Sequence, residues 1–267
     1  MNSQAQTSSI PIITLTSDWG LKDHYLAVIK GAILTRLPGV SIVDISHNIK
    51  PFNLKEASYI IRNSFRNFPK GTIHIISINT EETLTFPHTV AYAEGHYFIG
   101  TDNGIFSLIF DEKPEKMVEI TIPQDSDLFT FSTRDRFVKA AVHIAEGKPM
   151  SELGPERSAW SVQTLFRPAV SDNVIKGMVI YIDNYENVIT NITEKIFMQV
   201  RKGRKFIVEF RGEQIEEISK AYMDVPVGEI VALFGSTGYL EIALNQGNAS
   251  SLLGLYMNDP VRVEFRE

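Results

Sequence analysis

The run Ile10-Pro11-Ile12-Ile13-Thr14-Leu15-Thr16, closed by Ser17-Asp18-Trp19-Gly20, sets the reading of the whole chain. A short isoleucine-rich stretch that stops at Asp and Gly reads as a buried strand followed by a loop. The same alternation continues outward. Tyr25 to Leu37 has helical spacing, with Leu26, Ile29, Ile33 and Leu37 on one face, and Pro38-Gly39 stops it. Val40 to Ile45 predicts a second strand, ending in Ser46-His47-Asn48. Asn53 suits an N-cap for a helix through Phe65, with Ala57, Ile60, Ile61 and Phe65 facing inward. After the turn at Pro69-Lys70-Gly71, Thr72 to Ile78 predicts a third strand that ends at Asn79. Three strands alternating with two helices predict βαβ crossovers, hence a mostly parallel sheet flanked by helices.

Further along, Thr89 to Tyr92 and His96 to Gly100 flank Glu94-Gly95 and read as a hairpin. Gly104 to Phe110 predicts a short helix. Arg134 to Ala145 predicts another, with Phe137, Ala141 and Ile144 on one face and Gly147 closing it. The pattern changes near Arg167-Pro168. Beyond it the segments Gly177–Ile182, Phe206–Phe210, Ile230–Phe234, Tyr239–Ala243 and Val261–Phe265 all read as strands. The expected architecture is an N-terminal α/β domain over residues 1–168 and a C-terminal antiparallel β-barrel-like domain over 169–267.

Composition narrows the function classes. The 267 residues are 43% hydrophobic and 22% charged, an ordinary balance for a globular protein. The 32 acidic residues exceed the 26 basic ones, and no polybasic run appears, which argues against nucleic acid as the main partner. There is no cysteine, so disulfides and thiolate metal sites are excluded. The start, residues 1–9, is polar and lacks an apolar signal-peptide core, and no stretch is long and apolar enough to span a membrane. A cytoplasmic protein without membrane attachment is the expectation.

Open α/β sheets bind ligands outside the carboxyl ends of their strands. Here those ends present Asp18, the Ser46-His47-Asn48 loop and Asn79, a possible polar rim. Carboxylates suit ribose diols or a cation, but Asp18 and Asp23 equally suit a turn or a helix cap. No Gly-x-Gly-x-x-Gly follows the first strand and no Gly-Lys-Ser/Thr loop exists, which disfavours dehydrogenase and P-loop chemistry. No His-Glu-x-x-His pattern occurs, and His74 and His143 read as packing or surface residues. In the C-terminal part, Asp183 to Asn191 and Gly235 to Ala249 are rich in amides, carboxylates and small residues. They read either as ligand-binding loops or as hairpin turns.

The motifs together are more specific than any one alone. Leu15 to Asp23, Val43 to Ile49, Tyr97 to Gly104, Phe131 to Asp135, Asp183 to Asn191 and Ser236 to Ala249 occur in an order that resembles the S-adenosylmethionine hydroxide adenosyltransferase and halogenase family. The resemblance implies cleavage of S-adenosyl-L-methionine at the 5′ carbon by a nucleophile, water on family grounds, giving adenosine and methionine. It also implies no cofactor, no metal, and a homotrimer with ligand bound at subunit interfaces. By resemblance, Asp18 holds the ribose hydroxyls and Phe52 stands against the ligand. Asp183 and Asn187 face the methionine amino group and the adenine side, and Ser236 and the stretch around Asn245 complete those contacts. Asp23, Phe131, Tyr185 and Glu241, in the same motifs, are further substrate-binding candidates.

At the catalytic positions the chain departs from the family. Hydroxide-using members resemble one another in an Asp–Arg–His set. Here Asn79 replaces the Asp, Ser132 stands at the His position, and no arginine occurs from Asn67 to Thr133. Neither Asn79 nor Ser132 is a base near neutral pH, and water is a poor nucleophile without one. Thr133 aligns with a hydroxyl that contacts halide in halogenating members, with Thr80 or Thr83 as a second donor. Glu81, Glu82 and His88 lie in the altered loop and read first as solvated surface, second as replacement bases. Two other readings therefore stand beside hydrolysis: an adenosyl-ligand-binding protein with impaired turnover, and a halide-dependent 5′-halogenase.

Overall fold

The computed structural model describes residues 10–124, 127, 129–164 and 167–267. The polar start, residues 1–9, lies outside the described residues. The opening strand β1 (Ile12–Ser17) sits between β2 (Ser41–Ser46) and β3 (Ile73–Ser77) and runs parallel to both. Two more strands, β4 (His88–Ala93) and β5 (His96–Thr101), form the hairpin turned by Glu94 and Gly95, both at positive φ, as a tight two-residue turn requires. β5 is parallel to β3. β4 and then β6 (Lys116–Glu119) extend the sheet antiparallel, in the order β2-β1-β3-β5-β4-β6.

Helices cover both faces. These are α1 (Tyr25–Arg36), α2 (Leu54–Ser64), α3 (Ile105–Ile109) and α4 (Val138–Ala145). Alternation along the strands divides the core. Ile13, Leu15, Ile73 and Ile75 pack with Ile29 and Ile33 of α1 and Val138 and Ala141 of α4. Ile76, Ala91 and Phe98 pack with Ala57 and Ile61 of α2 and Phe106 of α3. β1 and β3 are buried on both faces, with Thr14, Thr16 and His74 buried among their apolar residues. Asn53 caps α2, its side chain accepting the Glu56 N–H at 3.2 Å.

One helix begins differently from its sequence. The spacing predicts regular helix from Arg134, but Thr133–Phe137 form a π turn in which the Val138 N–H reaches back to the Thr133 carbonyl. The wider turn carries buried Thr133, whose hydroxyl donates to Ser77 at the end of β3 over 3.0 Å. Such turns inside helices recur at functional sites.

The chain divides after Thr164 into two compact units, the second continuing to Glu267. In the second, β7 (Ala169–Val170), β8 (Val174–Ile182), β9 (Val188–Thr193), α5 (Glu194–Arg201), β10 (Lys205–Phe210), β11 (Glu213–Ile215), β12 (Ile230–Phe234), β13 (Tyr239–Leu244), α6 (Ala249–Leu253) and β14 (Pro260–Arg266) follow in turn. The strands form one antiparallel sheet in the order β11-β10-β14-β8-β9-β13-β12, with β7 beside β8. Just past β11, Ser219 bridges to Leu233 and donates its N–H to the Ala232 carbonyl at 2.8 Å, so the two edges of the sheet approach each other. The result is a nearly closed, barrel-like sheet around Phe197. That ring is 1% exposed and meets Phe206, Phe234 and Phe265 edge-on at 5.0–5.3 Å. Full burial of such a ring is worth about 1.5–3 kcal/mol.

The sequence reading sees mainly strands beyond Arg167, and it misses α5 and α6. A signal for α5 was present. Thr193 caps it by accepting the Ile196 N–H, and Phe197 and Val200 share its buried face. Likewise Val188–Thr193, which overlaps the polar cluster Asp183–Asn191, is a strand, with Asn187 buried just before it and Asn191 buried within it. Among the described residues, no helix is long and apolar enough to cross a membrane.

Candidate active site

In the first unit the carboxyl edge of the parallel strands gathers the expected rim. Ser17 ends β1, and its Oγ lies 2.7 Å from Nδ1 of buried His47, just beyond β2. The same histidine's carbonyl accepts the Gly20 N–H at 2.7 Å. Gly20 has φ +67, a left-handed conformation that lets the loop fold back to make this bond. On its other side, His47 Nε2 stands 3.2 Å from Asp44 Oδ1, at an angle too poor for a good hydrogen bond. Burial pushes the Asp44 carboxyl up, but the hydrogen bond from Lys30, at 2.6 Å, and the close His47 ring outweigh it and hold it below the usual carboxylate range. The loop carrying Asp18 is thus fixed from β2 at two points.

Asp18 neither closes a local turn nor caps α1, whose N-cap is His24. Its Oδ2 accepts the Phe52 N–H at 2.8 Å, across 34 residues of sequence. Phe52 sits at φ +64 with its side chain 71% exposed. A bulky residue in the left-handed region is strained, and such strain collects at ligand sites. Trp19, Tyr25 and Phe131 form an aromatic cluster beside this loop, with Phe131 edge-on to Trp19 at 5.5 Å and to Tyr25 at 5.4 Å. Asp23 is exposed before α1 and lies apart from these contacts.

Asn79 ends the third strand region at φ +49, exposed, with its carbonyl held by Asn103 Nδ2 at 3.0 Å. Ser132 is half-buried at the entrance of the π turn. Thr133 is fully buried and its hydroxyl is already engaged with Ser77, which leaves it poorly placed as a free halide donor. Asp102 and Asn103, in the Tyr97–Gly104 motif, have structural partners. Buried Asp102 accepts the Ser161 N–H with both oxygens at 3.1 Å, and Asn103 supports Asn79.

The altered loop after Asn79 is not simple solvated surface. His88 is 2% exposed; its Nε2 lies 2.9 Å from the Thr80 carbonyl, and its Nδ1 3.4 Å from an Arg136 amine. Arg136 also pairs closely with Glu82 Oε2, and Glu82 Oε1 lies 3.8 Å from His88 Nδ1. Burial pushes the His88 ring down and keeps it neutral; the neighbouring arginine acts the same way, against Thr80 and Glu82. A carboxylate, an arginine and a histidine therefore meet here. This arginine lies three positions beyond the Asn67–Thr133 stretch that lacks one. The π turn brings Arg136 to the loop, and linear spacing alone gave no signal of that. Glu81 stays exposed.

In the second unit, Asp183 follows β8 and folds its own loop. Its Oδ1 accepts the N–H groups of Tyr185 and Asn187 at 2.9 and 2.8 Å, and its Oδ2 accepts Asn187 Nδ2 at 3.0 Å. Tyr185 is 75% exposed. Glu241, on β13, is buried and accepts the Tyr222 hydroxyl at 2.6 Å. Burial, with the Asp183 charge adding to it, pushes the Glu241 carboxyl up, while the same burial and Glu241 push the Tyr222 hydroxyl up. A carboxylate raised by a second carboxylate's charge is eased by a neighbouring positive group. Gly235 backs Glu241 closely, since a Cβ there would stand 2.6 Å from Glu241 Oε2; Ser236 is next to it, exposed in the turn. Asn245 does not join them. It lies four residues further along, about 13 Å at strand rise, and its side chain donates to the Val225 carbonyl at 2.7 Å. Tyr222 had no sequence signal, because it comes from an irregular connection between β11 and β12.

Comparison with known proteins supplies the context. Residues 13–154 match the SAM hydroxide adenosyltransferase N-terminal domain and residues 177–262 its C-terminal domain. The chain is similar to an (R)-S-adenosyl-L-methionine hydrolase of Thermus thermophilus, at 32% identity over 92% of this chain and 97% of that one. It is similar to a fluorinase of Nocardia brasiliensis, at 27% identity over 95% and 97%. An uncharacterized conserved protein of Thermotoga maritima has a similar structure, with TM-score 0.85 and 29% identity over 94% of this chain and 99% of that one.

Proposed function

The chain belongs to the SAM hydroxide adenosyltransferase family, and from that premise we propose that it cleaves S-adenosyl-L-methionine at the 5′ carbon with water, giving adenosine and methionine. The observation that carries this reading is the carboxyl edge itself. Asp18 is presented there between a doubly anchored loop and an exposed, strained Phe52. A carboxylate at that edge suits a ribose diol, and an exposed aromatic face suits adenosine or a sulfonium. In the second unit the carboxylates of Asp183 and Glu241, which feel each other's charge, suit the methionine ammonium, with Asn187 bonded to Asp183 and Ser236 next to Gly235. Asn79 and Ser132 bound the edge without serving as bases.

The hydrolase reading is tested by incubating the protein with S-adenosylmethionine in oxygen-18 water, with and without chloride. Adenosine carrying the label on its 5′ oxygen is the expected product. A chlorinated nucleoside would favour the halogenase reading, which the fluorinase likeness supports. Ligand binding without any product would leave a binding protein. The family resemblance also supports a homotrimer with substrate held where subunits meet. Light scattering showing a monomer with full ligand affinity counts against shared sites.

A further inference from the structure

We propose that Glu82 is the base that takes the proton from attacking water, held in place by Arg136 and His88, a set assembled from parts of the chain distant in sequence. This inference rests on the hydrolase reading and deepens it. The placement comes from the sheet. Thr133 bonds Ser77, the register partner of Ser17, and Ser17 directly precedes Asp18. Arg136 lies three residues beyond Thr133 in the same π turn. His88 begins β4, where it pairs with Thr101 at the carboxyl end of β5. Glu82, Arg136 and His88 therefore belong to the same edge as Asp18.

Within the set only one group is open. Glu82 is 34% exposed at its side chain, against 18% for Arg136 and 2% for His88. Both His88 nitrogens have neighbours: Nε2 faces the Thr80 carbonyl, and Nδ1 faces Arg136. Arg136 binds Glu82 through Oε2, and Oε1 has only long contacts, 3.5 Å from the His88 backbone N–H and 3.8 Å from His88 Nδ1. One carboxylate oxygen thus remains to accept a proton. Glu81, the neighbouring carboxylate, is exposed and has no ion pair among the described residues.

The step balances without a further reactant. The water oxygen forms a bond to the 5′ carbon as the carbon–sulfur bond breaks, and its electron pair goes to sulfur, releasing neutral methionine thioether. The water proton passes to Glu82 and then to solvent.

The test compares wild type, Glu82→Gln, Arg136→Lys and Glu81→Gln for kcat and KM in adenosine formation, and for adenosine binding by calorimetry. Glu82→Gln should lower kcat by about 10²–10⁴-fold, the usual weight of general-base help, with KM and adenosine affinity unchanged. Arg136→Lys keeps the charge but loses the fork, and should lower kcat while leaving KM alone; a merely structural role would instead shift the melting temperature and KM together. Glu81→Gln should match wild type. Glu82→Gln with wild-type kcat would overturn the set while leaving the hydrolase reading intact. A wild type that binds adenosine but never forms it would overturn both.

Discussion

At Phe52 the proposed ligand contact comes with backbone strain. Its left-handed backbone at φ +64 is held by the Asp18 carboxylate, and its ring is left largely to solvent. Strain of this kind costs about 1–3 kcal/mol, and glycine adopts the conformation freely at an unfolded-state entropy cost of about 0.5–1 kcal/mol. Phe52→Gly should therefore stabilise the fold by about 1 kcal/mol in urea titration while weakening adenosine binding in calorimetry. A destabilised variant would mean that the ring's packing outweighs the strain. The candidate residues differ in how legible they were. Asp18, Phe52 and Asp183 are recognisable from motif and residue type, since short polar loops after strands are written locally. Glu82 and His88 look like surface in the sequence, because burial of His88 depends on Phe137, whose ring lies edge-on at 4.9 Å, and on Arg136.

At the scale of elements, helix α5 shows what a cap contributes to a segment that pattern reading passes over. Thr193 ends β9 and caps α5 in the same residue, its Oγ1 accepting the Ile196 N–H at 3.2 Å. Thr193→Ala should lower stability by about 1 kcal/mol, the usual loss for a cap, read as a shift in the denaturation midpoint. A shift within error would mean that packing of Phe197 holds the helix without it. α1 needs no such device: His24 makes no side-chain cap bond, and burial of Ile29 and Ile33 holds the helix. The strands and helices of the first unit were legible because their periods and stops are local. α5 was not, because eight residues between two strands give only two turns of period, too short for the pattern to outweigh the strands around it.

Across the whole molecule, the buried polar core sets the response to acid. His74 lies inside the first sheet, 2.7 Å from Thr14 Oγ1 and 3.3 Å from His96, among the rings of Phe65, Phe68 and Phe98. Burial, with the His96 ring adding to it, pushes His74 down to about 3. The folded state keeps this ring neutral, while the unfolded chain protonates it below about 6.5. Its contribution to stability is complete above pH 6.5 and is lost as pH falls toward 3, by about 1.4 kcal/mol per unit. His74→Gln should flatten the acid limb of a stability-versus-pH curve; an unchanged limb would assign acid sensitivity to other groups. The sequence by itself determined the alternation of strand and helix, the change of pattern near Arg167 and the polar motifs after strand ends. Those features follow from periods of 2 and 3.6 residues and from stop residues, all of which act within a few positions. Only the tertiary structure decided which of those residues meet. Glu82, His88 and Arg136 come together because β4 returns antiparallel beside β5 and a π turn lies against β3. Asn245 stays away from Glu241 because strand rise separates residues that lie close in sequence.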